Sequence, residues 1–329
     1  MVSINDVAAY AGVAISTVSK VINNYPYVSE ATKVKVRKAI HELNYVPNTV
    51  AAALSSKQNG RAAILVSLSD KTQAIDEITM QYLSGALNMA LELNIEIITF
   101  FQSMISHMTP EEITRYFKSQ NISGLIICGM SKNDEYLKQL VESKEYKCVL
   151  VDAPIVNEVT SSIGVDNALA QYEVAKQTII ENTCKRVLYI AGRKNSYMTE
   201  ERLAGMQKLK EDLGLTMTVR YGEYSELKAR EIAFKYAKNK DVVVCESDLM
   251  AIGAMNALTE MDIFRPVCGF DGITLMGYVG KQMNTLRQDF YNISSNAVKE
   301  LKYLLDGGEG RRINLPHSIV KLYYKDIIK

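Results

Sequence analysis

Tryptophan is absent from this 329-residue sequence, and histidine and proline are scarce. The three histidines, His41, His107 and His317, have no partner at the spacing of zinc ligands, and no two cysteines form a C-x-x-C pair. A zinc site is therefore not expected. The five cysteines are interpreted as buried free thiols, because several lie in apolar runs. They are Cys128, Cys148, Cys184, Cys245 and Cys268.

Long hydrophobic runs and nucleotide-binding loops are also missing. No apolar run reaches the roughly 18 residues that a membrane-spanning helix requires, and residues 1–6 do not lead into a signal-like apolar block. The patterns G-x-G-x-x-G and G-x-x-x-x-G-K-[ST] do not occur, and Gly129–Asn133 begins like a nucleophile elbow without the closing glycine. We therefore expect a cytoplasmic protein that is not an enzyme and has no cofactor, metal or membrane partner.

The pattern of the chain changes near residue 60. Residues 1–46 read as three helices without a strand, and residues 47–59 read as a linker with one short helix. Beyond them, apolar runs alternate with amphipathic stretches, which predicts parallel sheets covered by helices on both faces. The runs are Ala62–Leu68, Ile95–Phe101, Gly124–Cys128, Lys147–Val151, Arg186–Ala191, Val242–Cys245 and Val267–Phe270. The stretches are Tyr82–Leu93, Pro110–Ser119, Ala168–Asn182, Glu200–Leu213, Lys228–Lys238 and Leu249–Glu260. Two α/β lobes, divided near residue 158, fit this length better than one sheet.

The N-terminal segment has the pattern of two short helices joined by a tight turn at Gly12, where a positive φ costs little. Apolar residues recur at helical spacing on one side of each helix: Ile4, Val7, Ala8, Ala11, then Val18, Val21, Ile22. The other side of the second helix carries side chains that suit phosphates and base edges: Ile15, Ser16, Thr17, Ser19, Lys20, Asn23. A third helix begins after Ser29, its predicted N-cap. Residues 1–58 carry six basic and three acidic side chains, which favours contact with a polyanion. A helical hairpin that only caps the body is the alternative.

Several blocks of this segment resemble the signature of the LacI/GalR family of bacterial transcription regulators. They are Asp6–Ala8, Ala11–Val13, Thr17–Ser19, Val21–Asn23, Val28–Glu30, Leu43–Tyr45 and Pro47–Asn48. The resemblance implies that the second helix enters the major groove and that Ile15, Ser16 and Lys20 read bases. It also assigns contacts with the DNA backbone to Ser3, Thr17, Ser19, Asn23, Ser29, Thr32, Tyr45 and Asn48. The linker would form a hinge helix on DNA, and Leu54 would open a base step in the minor groove.

Three positions depart from the family pattern. Ala14 replaces the usual serine cap of the second helix, and Lys20 stands where arginine is common. Ala52 stands where the hinge usually has arginine. These departures leave the operator sequence and the affinity open.

The resemblance continues through the body and implies two lobes of the periplasmic-binding-protein type. The matching blocks are Gly164–Asn167, Glu201–Gly205, Ser247–Ala254, Gly269–Asp271 and Thr285–Phe290. The first lobe would comprise residues 60–157 and 287–316, and the second residues 158–286 and 317–329. In family terms Arg202 and Asp271 are the strongest candidates for contact with an effector, followed by Asp152, Ser247, Gln288 and Phe290.

Structural roles compete with effector contact at some of these positions. Arg202 could form a surface ion pair, and Asp271 could serve turn geometry. Asp248 is predicted to cap the helix that follows it, and Asp166 and Asn167 to cap the helix near Ala168.

The family resemblance implies a homodimeric repressor that binds pseudo-palindromic operators in double-stranded DNA and is associated with the nucleoid when bound. It further implies control by a small polar effector such as a sugar, in carbohydrate-utilisation genes. Two alternatives remain: an architectural DNA-binding dimer without effector control, and a regulator that responds to a nucleobase or a protein co-repressor.

Overall fold

The computed structural model describes residues 2–22, 25–45, 61–67, 77–278 and 283–321. The chain forms two compact units, residues 1–58 and residues 59–329. Their boundary falls at the end of the linker that the sequence predicts.

The described residues of the first unit form three helices and no strand. The helices are α1 (Ile4–Ala11), α2 (Ile15–Ile22) and α3 (Glu30–Glu42). Helix α1 begins at a capping box between Ser3 and Asp6 and ends at Gly12, whose φ is 65°. Valines and alanines from all three helices form the core: Val7, Ala8, Val18, Val21, Val36, Ala39. The predicted helices and the predicted turn at Gly12 are confirmed.

The second unit alternates strands and helices. Its first part contains β1 (Arg61–Val66), α4 (Glu77–Glu92), β2 (Ile97–Phe101), α5 (Gln102–Ile105), α6 (Pro110–Ser119), β3 (Ile122–Cys128), α7 (Glu135–Glu142), β4 (Lys147–Val151) and β5 (Thr160–Val165). It continues with α8 (Asn167–Glu181), β6 (Arg186–Ala191), α9 (Tyr197–Leu213), β7 (Thr216–Tyr221), α10 (Glu226–Tyr236), β8 (Val242–Cys245), α11 (Asp248–Glu260), β9 (Val267–Asp271) and α12 (Leu275–Tyr278). The last elements are β10 (Asn284–Arg287), α13 (Phe290–Leu305), β11 (Arg312–Leu315) and β12 (Ser318–Val320).

The strands form two six-stranded sheets, each the centre of one lobe. The order in the first lobe is β11-β5-β4-β3-β1-β2, and in the second β12-β10-β9-β8-β6-β7. All neighbours pair in parallel except β10 and β12, which are antiparallel. The expected all-helical head and two doubly wound lobes are thus confirmed.

Both faces of the central strands are buried, which explains their continuous apolar sequences. In β3, Leu125, Ile126 and Ile127 are all fully buried, and successive residues enter the two cores on opposite faces of the sheet. Burying a side chain of this size contributes about 1.5–3 kcal/mol. Each core holds the strand ends of its own lobe in place, and residues at these ends line the cleft between the lobes.

The predicted first crossing between the lobes, near residue 158, is wrong. Strand β5 pairs with β4 and β11 in the first sheet, so the chain crosses after residue 165. The sequence of β5 hides this strand because Thr160, Ser161 and Ser162 are polar although buried. Glu300 explains part of this burial, because Ser161 donates a 2.8 Å hydrogen bond to its carboxylate.

The chain crosses between the lobes twice more, once after β10 and once after β11. Strand β10 belongs to the second sheet, whereas α13 packs on β3, β4 and α4 of the first lobe. Strand β11 returns to the first sheet, and β12 lies in the second. No helix among the described residues is both long and apolar enough to cross a membrane.

Candidate effector cleft and DNA-reading helix

One cleft between the two lobes brings together all six residues for which effector contact was predicted. Its volume is about 290 Å³. The six are Asp152, Arg202, Ser247, Asp271, Gln288 and Phe290. A larger cavity of about 640 Å³ lies beside Phe264 in the second lobe and includes none of them. Volume alone would select the larger cavity, but two of its charged residues, Glu181 and Lys321, are exposed and pair with each other, whereas Arg202 is buried at the cleft.

Arg202 lies on α9 at the floor of the cleft and is only 2% exposed. Its Nε donates to Oδ1 of Asn167 over 2.8 Å, and its Nη1 donates to the backbone carbonyl of Glu246 over 2.7 Å. The guanidinium lies over the Phe270 ring, 3.6 Å from the centroid, in a cation–π contact. The alternative of a surface ion pair is therefore wrong. Uncharged groups fix the guanidinium, whose Nη2 also donates to the Met198 sulfur over 3.9 Å, and Arg202 and Met198 both line the cleft.

The turn before α8 explains how Arg202 is oriented. Asp166 caps α8 by accepting a hydrogen bond from the Leu169 amide, as predicted. Asn167 does not cap the helix, contrary to the prediction. It is the first helical residue and is buried, and its side chain accepts from Arg202 and donates to Glu201. Its place beside the cleft makes it a support for Arg202.

Asp152 and Asp271 face the cleft from different lobes, one following β4 and one ending β9. Both have positive φ, 61° and 116°, a backbone conformation that persists where surrounding structure enforces it and that clusters at binding sites. Burial raises the pKa of Asp152 to about 6, partly opposed by the charge of Arg202. Burial also raises the pKa of Asp271, again opposed by Arg202. The cleft thus holds carboxyl groups that titrate closer to neutrality than exposed ones.

Two buried acceptor oxygens at or beside these carboxyl groups have no hydrogen-bond donor among the described residues. Asp152 accepts a 3.4 Å hydrogen bond from Tyr82 at Oδ2, but its buried Oδ1 has no partner among the described residues. Gln288 donates to Asp271 over 3.1 Å, and its own buried Oε1 likewise has none within the described ranges. A buried acceptor without a donor costs free energy. Both side chains line the cleft, but these two oxygens are themselves covered by protein.

Ser247, and not Asp248, caps α11. The Met250 amide donates to the Ser247 hydroxyl, whereas Asp248 is fully buried inside the first turn. Asp248 accepts from the Ile273 amide over 2.9 Å and from the Thr285 hydroxyl over 2.5 Å. The predicted capping role of Asp248 is wrong because its carboxylate instead holds the loop after Asp271.

Two aromatic residues of the cleft escaped prediction from the sequence. Tyr82 lies on α4 and packs edge-on against Phe290, with ring centroids 5.4 Å apart. Tyr224 follows β7 and donates a 2.8 Å hydrogen bond to the buried carboxylate of Glu246. No local signal marks Tyr82. Tyr224 follows the end of a strand, but the sequence pattern does not predict that strand.

Direct contacts join the two lobes beside the cleft. Lys132 forms an ion pair with Glu200, and its amide donates to the Asn195 carbonyl over 3.0 Å. Elsewhere, the Glu77 carboxylate accepts from the Thr274 amide and hydroxyl over 2.8 and 2.6 Å. These contacts join residues of the first lobe to residues of the second.

The residues predicted to contact DNA divide into exposed and structural positions. Ile15, Ser16 and Lys20 are exposed on α2, while Thr17 and Ser19 are partly buried. Ser3 and Ser29 cap α1 and α3, Thr32 hydrogen-bonds to Ser29, and Tyr45 packs against the core of the unit. Asn23, Asn48, Leu54 and the predicted hinge helix at 47–59 lie outside the described residues, as does Ala52.

Known proteins resemble both units. The family model described as bacterial regulatory proteins, lacI family, matches residues 3–48. A second, for periplasmic binding proteins and the sugar binding domain of the LacI family, matches residues 96–268.

Similarity to individual proteins extends over the whole chain. The regulator RegA of Clostridium saccharobutylicum is 29% identical over 97% of this chain and 98% of its own. The repressor PurR of Vibrio vulnificus is 26% identical over 100% of this chain and 99% of its own. The lac repressor dimer, solved with operator and the anti-inducer ONPF, superposes with a TM-score of 0.82 at 25% identity over 97% of both chains. Because the second family model alone spans more than half of the sequence, this protein belongs to the lacI family of bacterial regulatory proteins and is a DNA-binding transcription regulator.

Proposed function

We propose that this protein is a homodimeric repressor whose affinity for a pseudo-palindromic operator changes when a small polyhydroxylated effector, a sugar or sugar derivative, occupies the cleft. The observation that carries the proposal is the cleft itself. It sets the buried fork of Arg202 against Asp152 and Asp271, which come from different lobes. Sugar hydroxyls both donate and accept, so they match a guanidinium and carboxylates at once.

The size of the cleft supports a small effector. A volume of about 290 Å³ lies at the lower end of the range of ligand pockets, roughly 300–1,000 Å³. Because the lining comes from both lobes, occupancy favours one arrangement of the lobes over others. The free energy of that choice can be transmitted to DNA binding, and coupling of this kind typically changes affinity by about 5–150-fold.

The test begins with DNA. Selection of genomic fragments by the purified full-length protein should yield an operator with two inverted half-sites one or more helical turns apart. A panel of monosaccharides, sugar phosphates and nucleobases is then screened for an increase in melting temperature, and each responder is added to an operator titration. We expect a sugar to raise the melting temperature and to change the operator Kd at least fivefold.

Each other outcome identifies an alternative. Response to nucleobases alone would contradict the sugar assignment and leave the cleft as the effector site. A panel without responders would favour an architectural DNA-binding protein. Failure to enrich any DNA sequence would contradict the regulatory role itself.

A further inference from the structure

Helix α2 presents a narrow outward face. At 100° per residue, Ile15, Ser19, Ser16 and Lys20 fall within an arc of about 140°. Val18 and Val21 lie on the other side, buried against α1 and α3. We name Ile15, Ser16, Ser19 and Lys20 the reading face. The packing of the two valines fixes which side of the helix is available to DNA.

Ile15 is the exception on the reading face. Its side chain is apolar and 49% exposed, whereas the side chains of the other three residues carry hydroxyl or ammonium groups. Single exposed apolar side chains are common on proteins and need no special role. The position of Ile15 is what matters, because it is the first residue of α2. In helix-turn-helix proteins the N-terminal residues of the second helix contact base edges in the major groove.

The chemistry of isoleucine restricts which base edge it can face. It can neither donate nor accept, so covering the N7 or O6 of guanine, or the amino group of cytosine or adenine, removes water without replacing a hydrogen bond. The C5-methyl group of thymine is the one apolar group in the code of the major groove. An aliphatic side chain gains free energy by covering that methyl group.

We infer that Ile15 contacts the C5-methyl group of a thymine at one position in each half-site of the operator. The inference rests on the proposed function, because it requires α2 to dock in the major groove. It adds the chemical identity of one operator position. A 5-methylcytosine carries the same methyl group, so the recognised chemistry is the methyl group and not the whole thymine edge.

Single-methyl substitutions in the selected operator test this inference with the full-length protein. Each thymine is replaced by uracil, symmetrically in both half-sites, and operator Kd is measured for each duplex. At one position per half-site, uracil should weaken binding about fourfold for each methyl removed, the value of one buried methyl-sized group. Replacing that pair by cytosine·guanine and then by 5-methylcytosine·guanine should weaken binding and then recover about the same factor.

Variants connect the effect to Ile15. Ile15→Ser should bind the thymine and uracil operators equally, whereas Ile15→Val should keep most of the difference. Val34→Ser is the matched control, since Val34 is another exposed apolar residue of the same unit, 61% exposed on α3. It should show the full uracil effect. Circular dichroism melting confirms that each variant is folded.

The outcomes separate this inference from the proposed function. An operator whose uracil duplexes all bind like the parent overturns the role of Ile15 and leaves the regulator intact. An undiminished uracil effect in Ile15→Ser does the same, because another residue would then contact the methyl group. Absence of any enriched sequence removes the proposed function and the inference together.

Discussion

The two lobes bring different chemistry to the cleft. The second lobe contributes Arg202, Ser247 and Asp271, and it fixes Arg202 through hydrogen bonds to Asn167 and Glu246. The first lobe contributes mostly apolar surface, including Ile78, Tyr82, Cys128 and Phe290, with Asp152 as its carboxylate. The comparison leads us to propose that the second lobe orients the effector through its polar groups and that the first lobe covers it with apolar surface.

The largest effect should follow from removing the polar centre of the second lobe. Arg202→Ala deletes charged hydrogen bonds worth about 1.5–3 kcal/mol each, so effector affinity should fall roughly 100-fold or be lost. Operator affinity without effector should stay within about threefold of the parent. Calorimetric titration with the responding effector measures the first quantity, and operator titration measures the second.

A matched variant controls for charge. Arg193→Ala removes an exposed arginine of the same lobe and should leave effector binding unchanged. Arg202→Lys keeps the charge but loses the fork, so it should bind weakly despite folding normally. Unchanged effector affinity in Arg202→Ala would contradict the assignment of orientation to the second lobe.

An intermediate effect should come from the carboxylate of the first lobe. Effector hydroxyls prefer to donate to an ionised carboxylate, and burial raises the pKa of Asp152 to about 6. At pH 5 only about one-tenth of the Asp152 carboxyl groups are ionised. Protonation of this group should therefore make effector binding about tenfold weaker at pH 5 than at pH 7.5. Asp152→Asn should have a smaller pH dependence, with the remainder due to Asp271, whose pKa burial also raises.

The raised pKa of Asp152 also affects stability. The free energy of unfolding should fall with rising pH, whereas effector binding should strengthen. Because folding raises the pKa of Asp152 from about 3.8, the native state binds its proton more tightly than the unfolded state. Its contribution to the free energy of unfolding is fully present below about pH 4 and is lost as pH rises through about 6. Denaturant titrations should show this as a difference between the parent and Asp152→Asn. The exposed control Asp262→Asn should follow the parent, and parallel curves for Asp152→Asn would refute the assignment.

The smallest effect should come from the contact that holds the lobes together. Exposed ion pairs contribute about 0.2–1 kcal/mol, so Lys132→Met or Glu200→Gln should weaken effector binding by no more than about fivefold. The expected direction follows because the pair stabilises the arrangement in which both lobes line the cleft. Lys144→Met breaks a comparable pair with Glu158 inside the first lobe and should have no effect. Tighter effector binding in Lys132→Met would show that the pair opposes closure.

Apolar runs in the sequence are sufficient to predict the central strands. Strands β1 and β3 are buried on both faces, so their sequences are apolar from Ala62 to Val66 and from Gly124 to Cys128. Strand β7 was not predicted because it is an edge strand, half-buried along most of its length, and its Thr216 and Arg220 interrupt any apolar run. Strand β5 was missed for the opposite reason, since its polar residues are buried on partners distant in sequence.

The residues of the cleft were likewise only partly predictable from the sequence. Family resemblance supplied Arg202 and Asp271 as candidates, and both line the cleft. It could not supply the partners of Arg202, because Asn167 and the Glu246 carbonyl are brought to it only by the packing of α8 and β8. The sequence assigns the helix cap to Asp248 and not to Ser247 because either residue type can cap a helix. Burial of Asp248 decides between them, and burial cannot be read from two adjacent polar residues.

The three crossings have a consequence for how the chain is made. Helix α13 and strand β11 complete the first lobe, yet they are translated only after all strands of the second lobe except β12. Until residue 305 leaves the ribosome, the surface of the first sheet that α13 covers with Ile293, Val298 and Leu301 stays open. The first lobe therefore stays incomplete while the second lobe is synthesised. During this time it exposes apolar surface that chaperones recognise and that promotes aggregation. Nascent chains stalled before residue 290 should consequently be bound by such factors, whereas chains released at full length should not.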